Sequence, residues 1–383
     1  MRIKTFGKNP GNLKMFLHIP PQAAAQKEMP LLVVLHGCYQ TANKIALQTG
    51  WNKLADLLGF YVLYPQQKTG NNPSRCFSWY RAADTRKDRG ENLSIKNMVE
   101  YVKSVYPVDS GRVFITGLSA GGAMGVALMA TYPWIFRCGA IFAGAPYHSA
   151  TSITSGMFTM LGWRGKSAEG WADYVFKQNP EYSGPYPDII IYQGEDDHVV
   201  RKRNAENLVK QWTALHHIHI ENSRGKPFFA GVPDITRYSF NDSSGKEAVI
   251  LYKVNKLGHA LMIHPGGCMN EGGKLQSFTT DKNYHSTYWT AVDFGLAEAP
   301  VISGKQTVQK GEDSFTYMVP WQKGSGYQWD FPAGCKIISG NGTNNVLLKW
   351  GEKQGSINVT ETDSLMCKKH AVTLFVNVRD ILR

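Results

Sequence analysis

The pentapeptide Gly117-Leu118-Ser119-Ala120-Gly121 is the segment whose residue types and spacing point most directly to chemistry. It follows an apolar run over residues 112–116 and opens a segment rich in glycine and alanine, so it lies at a predicted turn from strand to helix. A serine at such a turn presents its hydroxyl at the sheet edge, beside a backbone N–H that faces a developing oxyanion. The alternative is a serine that only caps the helix. The pattern therefore predicts Ser119 as the nucleophile of an ester hydrolase.

A serine nucleophile needs a histidine base and a carboxylate that orients it, and in α/β-hydrolases these follow the serine in the order acid, then histidine. The expected base is His259, on a glycine-containing loop after the predicted strand 248–254. Two further histidines are its rivals: His264 and His285. Three carboxylates that follow the predicted strand 188–192 compete for the role of the acid: Glu195, Asp196 and Asp197.

An oxyanion hole needs a second donor, usually from the loop after an early strand. The dipeptide His36-Gly37 ends the predicted strand 31–35 and fits this position. We interpret His36 itself as a structural hydrogen-bonding residue that shapes the loop.

Short apolar runs alternate with helical patterns through the first three quarters of the chain. The predicted strands are 31–35, 60–64, 112–116, 139–143, 188–192 and 248–254. The predicted helices are 51–58, 93–104, 120–131, 201–215 and 284–296. Residues 234–240 and 248–254 are expected to pair antiparallel. This alternation predicts an α/β fold, a mostly parallel sheet with helices on both faces.

The pattern changes at Ala299-Pro300, after which short strands are separated by glycine-rich turns. Five strands are predicted there: 314–318, 327–331, 346–350, 356–360 and 372–378. They are typical of a small all-β sandwich. We therefore expect two domains, 1–299 and 300–383. Residues 145–187 interrupt the strand–helix rhythm and are expected to form an insertion above the carboxyl-terminal edge of the sheet.

Composition excludes several classes of protein. The 383 residues carry 42 Lys and Arg against 30 Asp and Glu, a net charge of +12, with 19% charged and 12% aromatic residues. Disorder needs denser charge and fewer aromatics. No apolar stretch reaches the roughly 18 residues of a membrane span. The cations are scattered and no nucleic-acid motif is present, so no nucleic-acid partner is expected. Neither a metal site nor a cofactor is predicted.

Cysteine usage and the N-terminus bear on the compartment. None of the six cysteines forms a C-x-x-C pair, and Cys335 and Cys367 bracket the C-terminal segment, which predicts a disulfide between them if the protein is exported. The partners of Cys138 and Cys268 stay open, and the alternative is a set of buried free thiols. The first residues lack the apolar stretch of a signal peptide, so the protein is either intracellular or has lost such a peptide.

Several segments together resemble the esterase family of extracellular poly(3-hydroxybutyrate) depolymerases, whose relatives include feruloyl and acetylxylan esterases. The resemblance covers residues 6–298 in collinear order. It is carried by Leu35-His36-Gly37-Cys38-Tyr39-Gln40, Tyr64-Pro65-Gln66-Gln67, Cys76-Phe77-Ser78-Trp79, residues 112–124, and Gly258-His259-Ala260. It implies an α/β-hydrolase fold and ester hydrolysis without a cofactor.

The resemblance also implies roles for individual residues. The family pattern His-Gly-x-x-Asp-x-x-Val is similar to residues 193–200, with Gln193 in place of the histidine, and its spacing selects Asp197 as the acid beside Ser119 and His259. The backbone N–H groups of Cys38 and Ala120 would form the oxyanion hole. Cys38 and Cys76 would form a disulfide beside the site. Two residues are expected to contact substrate: Trp79 and Tyr39. For Trp79 the alternative is a core position.

The tail resembles the PKD-like, immunoglobulin-like modules of secreted bacterial proteins, through Tyr327-Gln328-Trp329, residues 332–335 and 339–344, and Trp350-Gly351. It implies export to the periplasm or the exterior, and surface or polymer attachment through residues 300–383. We therefore expect a serine esterase of short-chain polyesters. Trp79, Trp163 and Trp171 are candidates for an apolar platform that holds the chain. The alternatives are a feruloyl or acetylxylan esterase and, more remotely, an inactive hydrolase that serves as a binding or adhesion protein.

Overall fold

The computed structural model describes residues 1–25, 27–309 and 314–379, so the last four residues of the predicted second domain lie outside the described part. The strands of the first region are β1 (Arg2–Ile3), β2 (Lys14–His18), β3 (Met29–Leu35), β4 (Tyr61–Gln66), β5 (Val108–Leu118), β6 (Cys138–Phe142), β7 (Asp188–Gly194), β8 (Arg224–Pro227), β9 (Ile235–Asn241), β10 (Glu247–Val254), β11 (Leu261–Ile263) and β12 (Thr279–Asp281). The α-helices are α1 (Ala42–Thr49), α2 (Trp51–Leu58), α3 (Ala82–Thr85), α4 (Gly90–Val105), α5 (Ala120–Thr131), α6 (Ile153–Met160), α7 (Ala168–Phe176), α8 (Arg203–Leu215) and α9 (Ser286–Asp293).

One large sheet organises this region. Within the described ranges it has ten strands in the order β1-β2-β4-β3-β5-β6-β7-β10-β9-β8. The six central strands from β4 to β10 pair in parallel. Antiparallel pairs at both sides complete the sheet, among them the predicted pair of β9 with β10. Because parallel strands end at the same edge, the loops after β3, β5, β7 and β10 meet there.

Helices cover both faces, as the sequence predicts. In β3 the side chains of Leu31, Val33 and Leu35 join one core, and those of Leu32 and Val34 join the other, because successive residues of a strand point to opposite faces. Apolar side chains of α4, α5 and α8 pack on the first face, and those of α1, α2 and α9 on the second. The observed fold is the predicted α/β-hydrolase arrangement.

Helix α5 differs from the other helices because all twelve of its residues are buried. Its sequence, rich in glycine, alanine and methionine, has no polar face, which is typical of a helix enclosed by the protein. The helix begins directly after Ser119. The turn that carries the predicted nucleophile is therefore joined to the most enclosed helix of the fold.

The tail forms a separate β-rich unit with its own core. Its strands are β13 (Thr307–Gln309), β14 (Phe315–Met318), β15 (Gly326–Asp330), β16 (Lys336–Ser339), β17 (Asn345–Lys349), β18 (Gly355–Thr362), β19 (Lys368–His370) and β20 (Leu374–Arg379). In the described residues they form a sheet of five strands and a sheet of three. Buried side chains between them include Tyr317, Trp329, Val346 and Ile357. The sequence missed three short strands, β13, β16 and β19, and the domain boundary at 299 stays a prediction.

The prediction of a disulfide between Cys335 and Cys367 is wrong. Cys367 pairs with Cys268 of the first region, with Cα atoms 5.7 Å apart, and Cys335 is a free thiol. The reason is that Cys335 packs against the core of the tail, whereas Cys367, in the turn between β18 and β19, lies beside Cys268 of the first region. There the side-chain amide of Asn270 donates a hydrogen bond to the carbonyl of Lys368 at 2.5 Å.

Two further hydrogen bonds join the tail to the first region. The hydroxyl of Ser356 donates to the carbonyl of Pro227, and the N–H of Ala230 donates to the hydroxyl of Thr373, each at 2.8 Å. Thr373 is buried there. In the described part of the chain, no helix has the length and apolarity needed to cross a membrane.

Candidate active site

Ser119 sits on a strained turn between β5 and α5. Its backbone has φ 57° and ψ −119°, a conformation that residues other than glycine rarely adopt. Two hydrogen bonds hold the turn: the N–H of Ser119 donates to the carbonyl of Phe142 at 2.8 Å, and the N–H of Ala123 donates to the carbonyl of Ser119 at 2.9 Å. Such strain concentrates at functional sites, where the surrounding structure enforces it.

The glycines that flank Ser119 are required by close backbone contacts. A Cβ atom on Gly117 would lie 2.5 Å from the carbonyl carbon of Gly121. A Cβ atom on Gly121 would lie 2.5 Å from the carbonyl oxygen of His36. These distances are shorter than any real contact of a Cβ atom. The two glycines of the pentapeptide motif are therefore required because the backbone packs closely here. This close packing places the turn against the end of β3.

The loop after β7 carries Asp197 to the loop after β10. The N–H groups of Glu195 and Asp196 donate to the carbonyls of Val254 and Leu257 at 2.9 and 3.1 Å, which ties the two loops together. A Cβ atom on Gly194 would approach the carbonyl oxygen of Gly258 to 2.7 Å, so only glycine permits this approach.

Asp197 and His259 form a buried pair. The Nδ1 atom of His259 lies 2.7 Å from Oδ2 of Asp197, and the carboxylate has no exposed area. The other carboxylate oxygen accepts hydrogen bonds from the N–H groups of Val199 and Val200 at 2.9 and 2.8 Å. A carboxylate acceptor requires that Nδ1 carry a proton, so Nε2 is the nitrogen that can accept a proton from Ser119.

Gln193, which replaces the histidine of the family pattern, supports the same loop. Its Nε2 atom donates to the carbonyls of Gly194 and Val200 at 2.9 and 3.1 Å. The side chain is buried. Gln193 therefore closes the loop around Asp197 through a buried side-chain amide.

The rival residues occupy other surroundings. Glu195 pairs with Lys202 at 2.7 Å, and Asp196 is exposed. His264 lies between Glu271 and Asp281, at 3.6 and 3.9 Å. The Nε2 atom of His285 bonds to the carbonyl of Thr49 at 2.8 Å, and burial lowers the pKa of this histidine to about 4. None of these four rivals lines the cavity that contains Ser119 and His259.

The backbone N–H groups of Cys38 and Ala120 are unpaired. Among the described residues, neither group donates a hydrogen bond to another protein atom. Ala120 begins α5, where the first N–H groups of a helix have no partner within the helix. Cys38 lines the same cavity as Ser119. Both groups are thus available to a ligand oxygen.

The loop around Cys38 is held from one side by His36 and a disulfide. Nδ1 of His36 donates to the carbonyl of Gly37 at 2.7 Å, and Nε2 accepts from the N–H of Gln67 at 3.1 Å. Burial lowers the pKa of His36 to about 4, so the ring is neutral and can accept at Nε2. This confirms the structural role predicted for His36. The predicted disulfide between Cys38 and Cys76 is also present, with Cα atoms 4.2 Å apart.

Ser119 and His259 open into a cavity of about 460 Å³. Its lining residues are Gly37, Cys38, Tyr39, Cys76, Trp79, Tyr80, Leu118, Ser119, Ile153, Gly156, Met157, Met160, Val199, His259 and Phe278. No Lys, Arg, Asp or Glu is among the described residues that line it. The site therefore presents the Ser119 hydroxyl and the His259 imidazole in mostly apolar, uncharged surroundings, which suits an uncharged ligand.

The structure places the predicted aromatic residues differently. Trp79 and Tyr39 line the cavity; Trp79 is half-buried and Tyr39 is 61% exposed. Trp171 is 1% exposed and packs in the insertion, so the prediction that it belongs to an apolar platform for substrate is wrong. Trp163 is 70% exposed and stacks on Phe158, but it lies outside the cavity lining.

Helix α6 supplies four lining residues that the sequence reasoning missed: Ile153, Gly156, Met157 and Met160. It begins at a capping box in which Ser152 and Ser155 exchange hydrogen bonds between side chain and backbone. Ile153 and Met157 are 61% and 55% exposed at the cavity. The serine pair before an apolar run was a readable sign of this helix. No cluster of three or more His, Cys, Asp or Glu side chains in the described ranges can hold a metal ion.

Comparison with known proteins supplies the family. The family described as Esterase PHB depolymerase matches residues 13–225, and a PKD-like domain matches residues 296–377. The poly(3-hydroxyalkanoate) depolymerase C of Paucimonas lemoignei is 37% identical over 295 residues, which cover 77% of this chain and 70% of that protein.

Other relatives carry different esterase names. The feruloyl esterase B of Talaromyces funiculosus is 29% identical over 67% of this chain and 72% of its own length. The acetylxylan esterase of Coprinopsis cinerea is 34% identical over 57% of this chain and 58% of its own length. An acetyl xylan esterase structure from Aspergillus awamori superimposes with a TM-score of 0.62 at 24% identity, covering 68% of this chain and 93% of that one. That structure shows the same fold.

Fold and relatives together define the class: the protein is a carboxylic ester hydrolase with the α/β-hydrolase fold. Within this class the chain belongs to the Esterase PHB depolymerase family, and it carries a PKD-like domain at its C-terminal end. The resemblance seen in the sequence is confirmed. Feruloyl and acetylxylan esterases are related proteins as well.

Proposed function

We propose that Ser119 is the nucleophile of an ester hydrolase, with His259 as its base and Asp197 as the residue that orients the base. The contact at 2.7 Å between Asp197 and Nδ1 of His259 supports this assignment, because it fixes the tautomer that a base requires. The strained backbone of Ser119 and the shared cavity support it further. The free N–H groups of Cys38 and Ala120 serve as the oxyanion hole.

The proposed reaction has two halves. The Ser119 oxygen attacks the ester carbonyl while Nε2 of His259 takes the serine proton, and the carbonyl oxygen becomes an oxyanion held by the two N–H groups. The carbon–oxygen bond to the alcohol then breaks, and the imidazolium returns the proton to the leaving alkoxide. Water, deprotonated by the same nitrogen, attacks the acyl-serine; the bond to the Ser119 oxygen breaks, the imidazolium returns the proton to that oxygen, and the carboxylic acid is released. The Asp197 carboxylate stabilises the imidazolium in both halves.

We propose short-chain polyesters such as poly(3-hydroxybutyrate), or their oligomers, as the substrate. The observation that carries this proposal is the cavity lining, in which the described residues include no charged side chain and many apolar ones, such as Ile153, Met157 and Val199. A polyester chain is uncharged and bears methyl groups, so it can fill such a cavity without leaving a buried charge unpaired. The named activity of the relative from Paucimonas lemoignei agrees with this choice.

A feruloyl esterase is the second candidate, and the aromatic lining favours it. Trp79, Tyr80 and Phe278 face the cavity and can stack on a phenolic ring. The experiment that decides is a comparison of kcat/KM for a 3-hydroxybutyrate trimer and for methyl ferulate. We expect the trimer to be preferred. A tenfold preference for ferulate, about 1.4 kcal/mol of transition-state binding, would overturn the polyester proposal.

A pair of tryptophan variants sharpens the assignment of Trp79 as a substrate contact. Trp79→Ala should raise KM for the trimer severalfold because an apolar wall of the cavity is lost. Trp134→Ala is the matched control, since Trp134 is 50% exposed and lies outside the cavity lining. Equal KM changes in the two variants would contradict a role of Trp79 in binding.

We further propose that the protein acts outside the cytoplasm, where residues 300–383 attach it to the polymer. The two disulfides support an oxidising compartment. Trp321, Leu365 and Met366 of the tail are 66%, 82% and 77% exposed, and such side chains can adsorb to an apolar polymer. Attachment would raise the effective concentration of enzyme at the surface. Adsorption of the full chain to a polyhydroxybutyrate film, compared with a chain cut after residue 299, tests this role.

A further inference from the structure

We propose that Gln40 and Gln48 are positioning residues that connect the oxyanion loop to the segment carrying the base. This inference rests on the proposed function, since it gives the N–H of Cys38 and the ring of His259 their catalytic roles. Neither glutamine lines the cavity, so both would act through the groups they hold.

The connection begins at the oxyanion loop. Oε1 of Gln40 accepts a hydrogen bond from the N–H of Gly37 at 2.5 Å, and the N–H of Gln40 donates back to the carbonyl of Gly37 at 3.3 Å. Gln40 is 1% exposed. Gly37, the residue before Cys38, is therefore held at both its N–H and its carbonyl. The next N–H, that of Cys38, remains free to face a ligand.

Gln48 extends the connection across the site. Nε2 of Gln40 donates to Oε1 of Gln48 at 2.6 Å, and Nε2 of Gln48 donates to the carbonyl of Ser277 at 2.6 Å. Gln48 is on α1 and is 2% exposed. The two amides thus bridge residues that are far apart in the sequence.

The segment reached by Gln48 lies directly against the base. Ser277 precedes Phe278, whose ring meets that of His259 edge-on with centroids 6.2 Å apart. The carbonyl of Phe278 accepts a hydrogen bond from the N–H of Leu261 at 2.9 Å, two residues after His259. From there β11 and β12 continue the pairing. The hydrogen-bonded chain therefore runs from the oxyanion loop to the strand that follows the base.

The two glutamines are suited to this link because an amide has an acceptor at one end and a donor at the other. Each side chain accepts on the Gly37 side and donates toward Ser277, so the dipoles of the chain point in one direction and reinforce one another in buried surroundings. A carboxylate lacks the donor and a thioether lacks a strong donor or acceptor. Neither can complete both bonds of a glutamine.

The functional consequence concerns the placement of the Cys38 N–H. An oxyanion donor acts only if it lies about 2.7–3.1 Å from the oxygen of the tetrahedral intermediate, and loss of one donor costs about 10²–10³ in kcat. The chain through Gln40 and Gln48 ties the loop that carries this donor to the segment that packs against His259. A shift of the loop would weaken the stabilisation of the transition state and leave the apolar cavity intact.

The test uses Gln40→Met and Gln48→Met in the full chain, with p-nitrophenyl butyrate as substrate and active sites counted by a phosphonate ester. We expect kcat per active site to fall about 10-fold to 100-fold while KM changes less than threefold. Affinity for a trifluoromethyl ketone, which forms an oxyanion on Ser119, should fall by a similar factor. Gln40→Glu, which keeps the acceptor for Gly37 but loses the donor to Gln48, should also lower kcat.

Gln211→Met is the matched control, because Gln211 is equally buried and bonds to the backbone of Tyr147 and Trp171 in the insertion. Its kcat per active site should stay within twofold of wild type. If Gln40→Met does not fold, Gln48→Met carries the test, since its side chain is one bond further from the oxyanion loop.

Unchanged kcat per active site and unchanged ketone affinity in the folded variants would overturn the inference. Equal losses in the Gln211→Met control would also overturn it, because they would indicate a general effect of burying methionine. A failure of the proposed function would give a different result. In that case Ser119→Ala would retain activity and the phosphonate would not label Ser119.

Discussion

The α/β region and the β-rich tail differ in how completely local sequence defines their structure. In the first region, central strands such as β3 and β6 are buried at every residue, and each reads as a short continuous apolar run. In the tail, β15 and β17 bury alternate residues, and all four residues of β16 are exposed. A strand enclosed on both faces leaves a stronger pattern than one at a surface. The predicted site lies where the pattern is strongest.

The cysteines show the same contrast. The pairing of Cys38 with Cys76 joins two loops at one sheet edge and was expected from family resemblance. The pairing of Cys268 with Cys367 joins the two regions across 99 residues of sequence. Its formation depends on how the tail docks, which no local pattern in either segment records. The positions of Cys335 and Cys367 on either side of the C-terminal segment therefore did not indicate the partner of Cys367.

Loss of the proposed acid of the first region should have a large effect. Asp197→Asn should lower kcat about 10³-fold to 10⁴-fold, because the neutral amide neither stabilises the imidazolium nor fixes the tautomer of His259. Asp196→Asn is the matched control, being exposed and outside the cavity lining, and should stay within threefold. Kinetics on p-nitrophenyl butyrate measure both. A larger loss at Asp196 would reassign the acid.

The next effect concerns the link between the regions. Replacing Cys268 and Cys367 together by serine should lower the free energy of unfolding by about 4.7 kcal/mol, since the bond closes a loop of 99 residues in the unfolded chain. Thermal or urea unfolding measures the change. Cys335→Ser is the control and should have a small effect, because Cys335 is a half-buried free thiol.

Thiol titration of the unfolded, unreduced protein checks the pairing itself. Two reactive thiols are expected, those of Cys138 and Cys335. Four or more would contradict one or both disulfides. If Cys335 proves oxidised and Cys268 reactive, the tail is not joined to the first region in the way described.

A third effect tests the support of the oxyanion loop from the side of Cys76. Glu91 is buried and accepts hydrogen bonds from Nε2 of Gln67 at 2.5 Å and from the N–H of Ser78 at 2.8 Å. Burial, aided by the nearby Asp84, raises the pKa of Glu91 to about 7 despite these bonds. The folded protein therefore binds a proton between about pH 4.5 and 7 that the unfolded chain releases.

Stability contributed by protonated Glu91 should thus be present below pH 4.5 and lost as the pH rises to 7. The loss should approach about 3 kcal/mol relative to Glu91→Gln, whose amide does not titrate. Urea unfolding of both proteins between pH 4.5 and 8 gives the difference. A constant difference across this range, or one that grows in favour of the wild type with rising pH, would contradict the raised pKa.

Removal of the tail should have the smallest effect on the rate of soluble-ester hydrolysis. A chain ending at residue 299, with Cys268→Ser to remove the orphaned thiol, should hydrolyse p-nitrophenyl butyrate within threefold of the full chain, because every cavity residue belongs to the first region. Hydrolysis of a polyhydroxybutyrate film should fall more strongly if the tail provides the proposed attachment. Loss of soluble-ester hydrolysis in a folded truncation would show that the tail completes the site.

Much of the site could be predicted because local steric contacts and local sequence patterns determine which residues occupy it. Gly117 and Gly121 avoid backbone contacts, and helices α2 and α5 have the predicted bounds. The sequence did not indicate that α6 would form a wall of the cavity, since this depends on how the insertion folds over the sheet. The bonds between Gln40, Gln48 and Ser277 were equally hidden, because they join three segments that meet only in the folded chain.

The central claim is that the first region carries the chemistry on Ser119, and covalent labelling tests it most directly. A p-nitrophenyl phosphonate ester should modify the full chain at one site per molecule, with release of one equivalent of nitrophenol. Peptide mapping should locate the adduct on Ser119, and Ser119→Ala should be unlabelled and have lost at least about 10⁴-fold in kcat. An adduct on another serine, or a Ser119→Ala variant that keeps a tenth of the wild-type rate, would contradict the account.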